Sequence, residues 1–468
     1  MGKFWAAAAA AVVVATVGAS ADAGTGATPA SVKLDAGVTL PGIEEQRLVE
    51  AGGAWLPVLK RDAAAPTNPG GLAVIRGGNH VVPRASAAQK LDLLRAVGDE
   101  SGDVLLWYTA TNQQGGAEPH LRRVKPDNTL GFDKTVLVER LAGVAPDGAG
   151  GAYAASHVGY ASSGVWIDMT KHRTVRFGPE GQVLWQVEEA GTKKPTSSSA
   201  YWSAATRGGT GVLVGYGVAD DEGLMRPVIL QRAAADGATV WKRTGLKVPG
   251  LAAATVPTGA LGPAALEGRV SAIHTAADGT AIAVVYEDSA GIETITRIDA
   301  AGQQTQAFAC GGGQRVVVRA QAGQVACVHL RAATKDLEVA RYGVVGGALV
   351  QSAKFTTEAM TAWSDLDALV FTPGGQLLVS GRRGGATLTM ALFSGTGKLL
   401  AKYDQGVVGS VRTLGAGAGT WIGLGDDSPP TRVHFRGTFT AGGSAPPMMP
   451  LPSGGVMPLP SGAALPRP

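Results

Sequence analysis

Clusters of charged residues recur in the connections between short apolar runs of this 468-residue chain. Acidic groups of this kind could bind a cation or a sugar, or could act as acid and base in hydrolysis. A sugar hydrolase would need two carboxyl groups about 5–10 Å apart, which residue order does not establish. The same residues could also simply solvate turns. The candidates are Asp220, Asp221, Glu222, Glu287, Asp288, Asp426 and Asp427, with the basic residues Arg382 and Arg383.

Other reactive residue types form no recognisable motif. The seven histidines are spread along the chain, and no pair has the H-x-x-x-H or H-E-x-x-H spacing of a zinc site. The G-x-S-x-G motif of serine hydrolases is also absent from the sequence. The sequence therefore predicts no metal site and no cofactor.

The first 23 residues have the pattern of a cleaved signal peptide. Lys3 precedes an apolar run at 6–17, and small residues around Ala21 and Ala23 fit a cleavage site. This run is shorter than the roughly 20 residues that span a bilayer. We therefore expect an exported protein, periplasmic or extracellular, with no membrane span. A retained anchor is the alternative.

The cysteine content agrees with export. The chain has two cysteines, Cys310 and Cys327, and an even pair in an exported protein favours a disulfide. Closing a loop of about 17 residues would stabilise the fold by on the order of 3 kcal/mol in the chain-entropy model. Two separate buried thiols are the alternative.

The composition indicates a folded chain with many turns. The 68 glycines and 26 prolines make up 94 of 468 residues, whereas 45% of the chain is hydrophobic and only 17% is charged. This apolar content excludes wholesale disorder. The net charge of +4 is small and scattered along the sequence, so the sequence predicts no nucleic-acid partner.

Seven short apolar runs, each opened by a glycine-rich turn, recur at intervals of 44 to 69 residues. A second turn follows most of them about 20–35 residues later. The runs are rich in Val, Ile and Tyr, which is typical of strands joined by hairpins. No segment keeps a helical apolar period over a long stretch, and residues 44–52 (EEQRLVEAG) are the best short helix candidate. The runs start at Asp103, Gly151, Gly211, Thr280, Gln324, Gln376 and Thr420.

A unit with two hairpin turns is a four-stranded antiparallel sheet. Seven such units predict an all-β fold, a seven-bladed β-propeller in which radial stacking buries both faces of each sheet. The last unit lacks a strand after 431–439, so we expect 72–76, or a strand within 54–83, to complete it. Alternatively, 54–83 forms most of an eighth blade. The predicted regions are a signal peptide at 1–23, an N-terminal extension, partly extended, at 24–70, the propeller at 71–440 and a Pro/Gly-rich tail at 441–468.

Two segments carry a resemblance to a known family. PEGQVLW (179–185) and ADGATVW (235–241) resemble the repeats of bacterial quinoprotein propellers, in which a glycine-containing turn is followed by tryptophan. The resemblance implies a secreted bacterial propeller that serves as a binding platform. Quinone-dependent members use adjacent cysteines, whereas Cys310 and Cys327 are not adjacent. The resemblance therefore implies the fold without the quinone.

In such a ring the tight turns lie on one face, and the variable connections, which hold the charged candidates, lie on the other. Two insertions widen that second face. One is 188–202, which ends in Tyr201 and Trp202; the other is 243–268, an apolar stretch that contains Leu251. A long apolar loop on a surface suggests a contact site. A loop folded back over the channel mouth is the alternative.

The tail differs from the rest of the chain. Residues 441–468 contain eight prolines and the hexapeptide MPLPSG twice, so we expect an extended segment, either a docking sequence or a disordered end.

Taken together, the sequence predicts an exported, non-catalytic propeller that binds a protein or glycan partner. A hydrolase or lyase that uses carboxylates on the rim is the alternative. The sequence specifies neither the ligand nor the oligomeric state.

Overall fold

The structure is a computed structural model of the whole chain. It describes residues 30–40, 43–61, 71–76, 79–83, 89–111, 116–136, 143–162, 165–190, 204–219, 225–244, 246, 269–276, 279–287, 292–310, 314–319, 324–331, 333–345, 348–360, 363–384, 387–403, 410–417, 419–426 and 432–440.

The described residues form 32 strands in eight four-stranded antiparallel sheets. Sheets 1 to 4 consist of β2 (Ile43–Ala51), β3 (Ala54–Arg61), β4 (Gly71–Ile75), β5 (Asn79–Pro83); β6 (Leu91–Gly98), β7 (Val104–Thr111), β8 (Ala117–Val124), β9 (Leu130–Thr135); β10 (Gly143–Pro146), β11 (Ala152–Ser162), β12 (Val165–Phe177), β13 (Val183–Ala190); and β14 (Ala204–Gly208), β15 (Gly211–Ala219), β16 (Met225–Ala233), β17 (Thr239–Arg243). Sheets 5 to 8 consist of β18 (Arg269–Thr275), β19 (Ala281–Glu287), β20 (Ile292–Ile298), β21 (Gln304–Ala309); β22 (Gln314–Arg319), β23 (Gln324–Arg331), β24 (Asp336–Val345), β25 (Ala348–Thr356); β26 (Trp363–Phe371), β27 (Leu377–Arg383), β28 (Thr387–Phe393), β29 (Leu399–Tyr403); and β30 (Ser410–Ala416), β31 (Thr420–Asp426), β32 (Arg432–Thr440) with β1 (Ser31–Leu40).

Sheets 2 to 8 correspond to the seven units that the sequence predicts, since the seven apolar runs are the second strands of these sheets. An additional four-stranded sheet, β2 to β5, precedes them, as the eight-blade alternative allowed. The sequence placed the start of the ring at residue 71, but β1, β2 and β3 already belong to these sheets. The helix candidate at 44–52 is not a helix, because residues 44–51 lie in β2, which pairs with β3.

The closing strand is β1, not the segment predicted from the sequence. β1 pairs antiparallel with β32, with Ser31 opposite Thr440 and Val32 opposite Phe439. The predicted partner, 72–76, contributes instead to β4, which pairs with β3 and β5. Sheet 8 therefore joins the two ends of the described chain. β1 supplies the fourth strand that the sequence of the last unit lacks.

Consecutive sheets pack against one another until the series closes on itself. Innermost strands contact one another between several pairs of consecutive sheets, for example β2 with β6 and β14 with β18, and β30 of sheet 8 contacts β2 of sheet 1. A closed ring of four-stranded antiparallel sheets is a β-propeller. The predicted all-β propeller fold is therefore confirmed.

The core lies between the sheets. Seven clusters of buried apolar residues each join two consecutive sheets, from sheets 1 and 2 to sheets 7 and 8. The second strands are buried on both faces: in β7, Leu106 packs toward sheet 1 and Trp107 toward sheet 3. This explains why the second strands read as continuous apolar runs rather than as alternating ones. Sheets 8 and 1 meet at Trp55, whose Nε1 donates to the Ala416 carbonyl at 3.3 Å.

The tryptophans of the repeat fix one sheet to the next. Trp185 in β13 covers Gly237, in the turn between β16 and β17, and Trp241 covers Gly302 in the corresponding turn of sheet 5. Both glycines have a positive φ, 75° and 80°, and a Cβ on either would lie within 2.7 Å of the indole. The glycine is therefore required both by the turn and by the neighbouring sheet.

Arginines bind the turns on one face of the ring, which we call the turn face. Arg176 of β12 bonds Asp147 Oδ2 at 2.9 Å, in the turn before β11, and donates to the Ala234 carbonyl in sheet 4 at 2.7 Å. Arg341 of β24 donates to the Gly375 carbonyl of sheet 7 at 3.0 Å. These contacts bring the turns of neighbouring sheets to the same side of the ring.

The predicted disulfide is present and also joins two sheets. Cys310 follows β21 at the outer side of sheet 5, and Cys327 lies in β23 of sheet 6; their Cα atoms are 5.6 Å apart. Both side chains are buried. Among the described residues, no helix has the length and apolar character needed to cross a bilayer.

Candidate functional site: the loop face and two polar clusters

The two faces of the ring differ in their connections. On the turn face, every connection between two strands of a sheet has two to five residues. The opposite face, the loop face, carries the other connections, and these reach much greater lengths. β13 ends at Ala190 and β14 begins at Ala204, so 13 residues connect them; β17 ends at Arg243 and β18 begins at Arg269, which leaves 25. The long connections, which could form a binding site, therefore lie on the loop face.

Four of the predicted site residues lie at strand ends on the loop face. Glu287 is the last residue of β19, Asp426 is the last of β31, and Arg382 and Arg383 end β27. They belong to sheets 5, 8 and 7, respectively. The remaining predicted residues lie outside the described part of the chain, namely Asp220, Asp221, Glu222, Asp288, Asp427, Tyr201, Trp202 and Leu251. The binding role of all twelve stays a prediction.

Two ion pairs lie among the described charged residues of the loop face. Arg382 Nε lies 3.3 Å from Asp367 Oδ1 in the innermost strand of the same sheet. Arg331 bonds Asp336 through two nitrogens, at 2.6 and 2.5 Å, across the connection between β23 and β24. The hydrogen bond from Arg331 holds the pKa of Asp336 below its ordinary value.

A first polar group lies within sheet 2 and was not predicted; we call it the sheet-2 cluster. Its centre is the Asp133 carboxylate, which accepts from the Tyr108 hydroxyl at 2.9 Å and from Arg122 Nε at 2.9 Å. His120 Nδ1 is 3.4 Å from the same carboxylate, and its ring stacks on Tyr108 with centroids 5.1 Å apart. Each of the three partners comes from β7 or β8, whereas Asp133 lies on β9.

A second group joins sheets 3 and 4, and we call it the inter-sheet cluster. The Glu189 carboxylate of β13 accepts from Tyr216 at 3.0 Å and from Lys242 at 2.6 Å, and it pairs with Arg232 at 2.9 Å. All three partners come from sheet 4. The ring of buried His172 stacks on Tyr216 with centroids 3.8 Å apart and an angle of 9°. The cluster therefore fixes the relative position of two sheets.

The electrostatics of both clusters favour one protonation state. Burial would raise the pKa of Asp133 and of Glu189, but the hydrogen bonds and positive charges of their partners outweigh it, so both lie below their ordinary values. Burial and the adjacent carboxylate raise the pKa of Tyr108 and Tyr216. Burial, with the charges of His157 and Arg232, lowers the pKa of His172 well below its ordinary value.

These states suit structure better than acid–base chemistry. A carboxyl group held ionised by two or three donors is a poor proton donor at neutral pH, and a tyrosine with a raised pKa is a poor base. Five described carboxyl groups have a shifted pKa, and all five shifts are downward: Asp127, Asp133, Glu189, Asp336 and Glu338. General acids in glycosidases need the opposite shift.

One sequence signal could have located both clusters. Tyr108 and Tyr216 occupy equivalent positions, four residues after Val104 and Val212 at the start of the apolar runs VLLWY and VLVGY. A tyrosine at the same position in two repeats indicates a shared environment. Asp133 lies in the same sheet as Tyr108, whereas Glu189 lies in the sheet before that of Tyr216. The repeat alone therefore does not identify these partners.

Within the described ranges, no three His, Cys, Asp or Glu side chains come close enough to hold a metal ion. In each cluster the carboxylate already accepts a hydrogen bond from an arginine or a lysine.

No protein-family model matches the chain, and no curated protein is similar to it in sequence. Solved structures of similar arrangement include the Dos1 propeller (8% identity, 86% of this chain and 95% of that chain, TM-score 0.48) and a eukaryotic initiation factor (10%, 84% and 85%, 0.47). A quinohemoprotein alcohol dehydrogenase, ADHIIG from Pseudomonas putida HK5, is also similar (8%, 88% and 77%, 0.39). Likenesses this distant assign no function. The propeller fold that the quinoprotein resemblance implied is confirmed, and the family stays a prediction.

Proposed function

We propose that this protein is an exported, non-catalytic β-propeller that binds a protein or glycan partner through its loop face. The Pro-rich tail, 441–468, supplies a second, separable contact. The observation that carries the proposal is the asymmetry of the two faces. The turn face is made of connections of two to five residues, and its arginines are bonded to neighbouring turns. The connection of 25 residues after β17 lies on the other face.

The electrostatics favour binding over hydrolysis. An acid–base enzyme would need one carboxyl group with a raised pKa beside one that is ionised. The shifted carboxyl groups among the described residues all have lowered values. A rim-carboxylate hydrolase or lyase would have to use loop residues that the structure does not describe, such as Asp220 or Asp288.

Export is supported by the buried disulfide between Cys310 and Cys327, because such bonds persist mainly in oxidising compartments. It agrees with the signal-peptide pattern of residues 1–23. An exported ring with long connections on one face suits recognition of partners at or beyond the cell envelope.

The test uses the purified full chain as bait for the native envelope and medium, together with a glycan array. Two loop-face variants are compared with wild type: Asp220→Asn with Asp221→Asn and Glu222→Gln, and 251–266 replaced by Gly/Ser. We expect each to lose at least tenfold in partner recovery or glycan signal, while circular dichroism and melting temperature stay unchanged.

The matched control changes charge on the turn face. Glu100→Gln with Glu180→Gln removes two exposed carboxylates from short turns and should bind as wild type does. If both loop-face variants recover the same partners as wild type, the binding proposal fails. A rim-carboxylate enzyme would then be the better hypothesis.

A further inference from the structure

A small apolar pocket lies where sheet 7 meets the connection from sheet 6. Its volume is about 120 Å³, and its walls include Met360, Trp363, Phe393 and Leu399. Met360 belongs to the segment between β25 and β26, Trp363 begins β26, and the other two residues come from β28 and β29. Neither of the two polar clusters contributes a residue to this pocket.

The size of the pocket indicates what could occupy it. Sites for cofactors and drug-sized molecules have volumes of about 300–1,000 Å³. An apolar cavity of about 150 Å³ accommodates one benzene molecule. A pocket of about 120 Å³ therefore fits one aliphatic side chain or one proline ring.

The rim of the pocket adds two charged groups. Glu358 is anchored there, because its Oε1 accepts a hydrogen bond from the Leu399 amide at 3.2 Å. The side chain of Lys402, which ends in an ammonium group, also lines the pocket. An aromatic floor with a donor at the edge suits a Pro-rich segment, since its rings are apolar and its backbone offers carbonyl acceptors but few N–H groups.

This chain carries such a segment. Residues 441–468 include MPLPSG at 449–454 and again at 457–462, and their only charged residue is Arg467. Proline fixes φ, so a Pro-rich segment loses little conformational entropy when it docks. Methionine and leucine in each copy supply side chains of the right size and flexibility for an apolar pocket.

The end of the described chain lies within reach of the pocket. β32 ends at Thr440 and pairs with β1. β1 contacts β28 and β29 from the side of sheet 8, whereas the pocket residues Phe393 and Leu399 of these strands lie on the side of sheet 6. The first hexapeptide begins nine residues beyond Thr440. At about 3.1 Å per residue in polyproline II, nine residues span about 28 Å. The segment has to pass the edge of sheet 7, and two intervals between neighbouring sheets amount to about 20 Å.

We propose that a Met-Pro-Leu-Pro segment of the tail docks in this pocket of its own propeller. One Leu or Pro side chain sits between Trp363 and Phe393, and a backbone carbonyl of the segment accepts from Lys402. The docked tail is then withheld from other partners until it is released. This goes beyond the proposed binding at the loop face and uses none of its residues, so the two proposals can fail separately.

The test places a photo-crosslinker in the pocket of the full chain. Ala359 lines the pocket and is exposed, so p-benzoylphenylalanine at this position should preserve the fold. We expect intrachain cross-links to 448–460 in a monomeric product, mapped by mass spectrometry. The matched control carries the same group at Val240, which is also exposed but lies in sheet 4, and should give no cross-link to the tail.

A second variant tests the chemistry of the contact. Leu451→Asp with Leu459→Asp changes only the tail of the full chain and should reduce the Ala359 cross-link at least tenfold. It should also open the pocket, so that a fluorescent peptide of residues 446–460 binds this variant at least tenfold more tightly than wild type. Cross-links to another segment, equal peptide binding by both chains, or cross-links only between two chains would each overturn the proposal.

Discussion

Replacing Gly237 with alanine should destabilise the ring by more than its backbone conformation explains. Gly237 has a φ of 75°, which costs an alanine about 1–2 kcal/mol. A Cβ here would also lie 2.6 Å from Cε3 of Trp185 in the preceding sheet, and overpacking of this kind costs about a further 1–3 kcal/mol. We therefore expect the free energy of unfolding to fall by about 2–5 kcal/mol.

The chain contains a matched control for this experiment. Gly279 has a similar φ of 79°, but a Cβ at this position would meet no atom within 4 Å. Gly279→Ala should therefore cost only about 1–2 kcal/mol. Urea unfolding, followed by circular dichroism and by calorimetry to test for a single transition, measures both variants against wild type.

A double-mutant cycle isolates the contact with the neighbouring sheet. In a Trp185→Ala background the indole is absent and Val187 Cγ2, at 2.9 Å, still crowds the Cβ, so Gly237→Ala should cost less than it does in wild type. We expect a coupling energy of about 1–3 kcal/mol between positions 185 and 237. Equal losses for the two glycine variants, or a coupling below about 0.5 kcal/mol, would refute the conclusion that the tryptophan locks one sheet onto the next.

Three further predictions concern other parts of the ring. Replacing Cys310 and Cys327 with serine should lower the free energy of unfolding by on the order of 3 kcal/mol, and mass spectrometry of the unreduced wild-type protein should find the two peptides linked; free thiols would contradict this. Burial lowers the pKa of His274 to about 4. As the pH falls below about 6.5, the unfolded chain therefore takes up a proton on this histidine that the folded chain does not. The free energy of unfolding should fall by up to about 3 kcal/mol by pH 4. Urea midpoints at pH 7 and pH 5 should show this slope reduced in His274→Asn, and an unchanged slope would contradict the assignment. Val32→Asp, which buries a charge in the closing strand, should abolish cooperative unfolding in calorimetry, whereas a variant that melts like wild type would show that β1 is dispensable.

The sequence predicted the repeated sheets because turn chemistry is local. The turn between β12 and β13 places Gly181 at a positive φ of 77°, and glycine at such positions is visible without any alignment. The second strands were visible for the same reason that they are stable: both of their faces are buried, so they read as unbroken apolar runs.

Sheet 1 was harder to identify because local preference and tertiary context disagree there. EEQRLVEAG is rich in residues that favour helices, yet Val49 and Ala51 are buried against sheet 2 and the segment pairs along β3. Strand formation here depends on contacts with distant residues, which propensity does not contain. The same holds for β1, whose partner lies about 400 residues away.

The sequence predicted which side of the ring holds the candidate residues, but not which side chains contact one another. Alternating tight and variable connections place Glu287 and Asp426 on the same side of the ring. The polar clusters depend on which strand of which sheet faces a given tyrosine. Asp133 reaches Tyr108 within one sheet, whereas Glu189 reaches Tyr216 from the preceding one. Such pairings are set by the twist and stagger of sheets, which spacing along the chain does not reveal.

Closure by the first strand makes the order of folding events matter. Ser31 Oγ lies 2.7 Å from Thr440 Oγ1, although 409 positions separate them, and bringing such distant segments together costs on the order of 5 kcal/mol in loop entropy. Sheets 1 to 7 each form from neighbouring hairpins, so sheet 8 should be the slow, high-contact-order step. Until then, β1 and β32 present unpaired edges. β1 of one chain can then pair with β32 of a second chain. Refolding at high protein concentration should therefore yield strand-swapped dimers, which dilution before refolding suppresses.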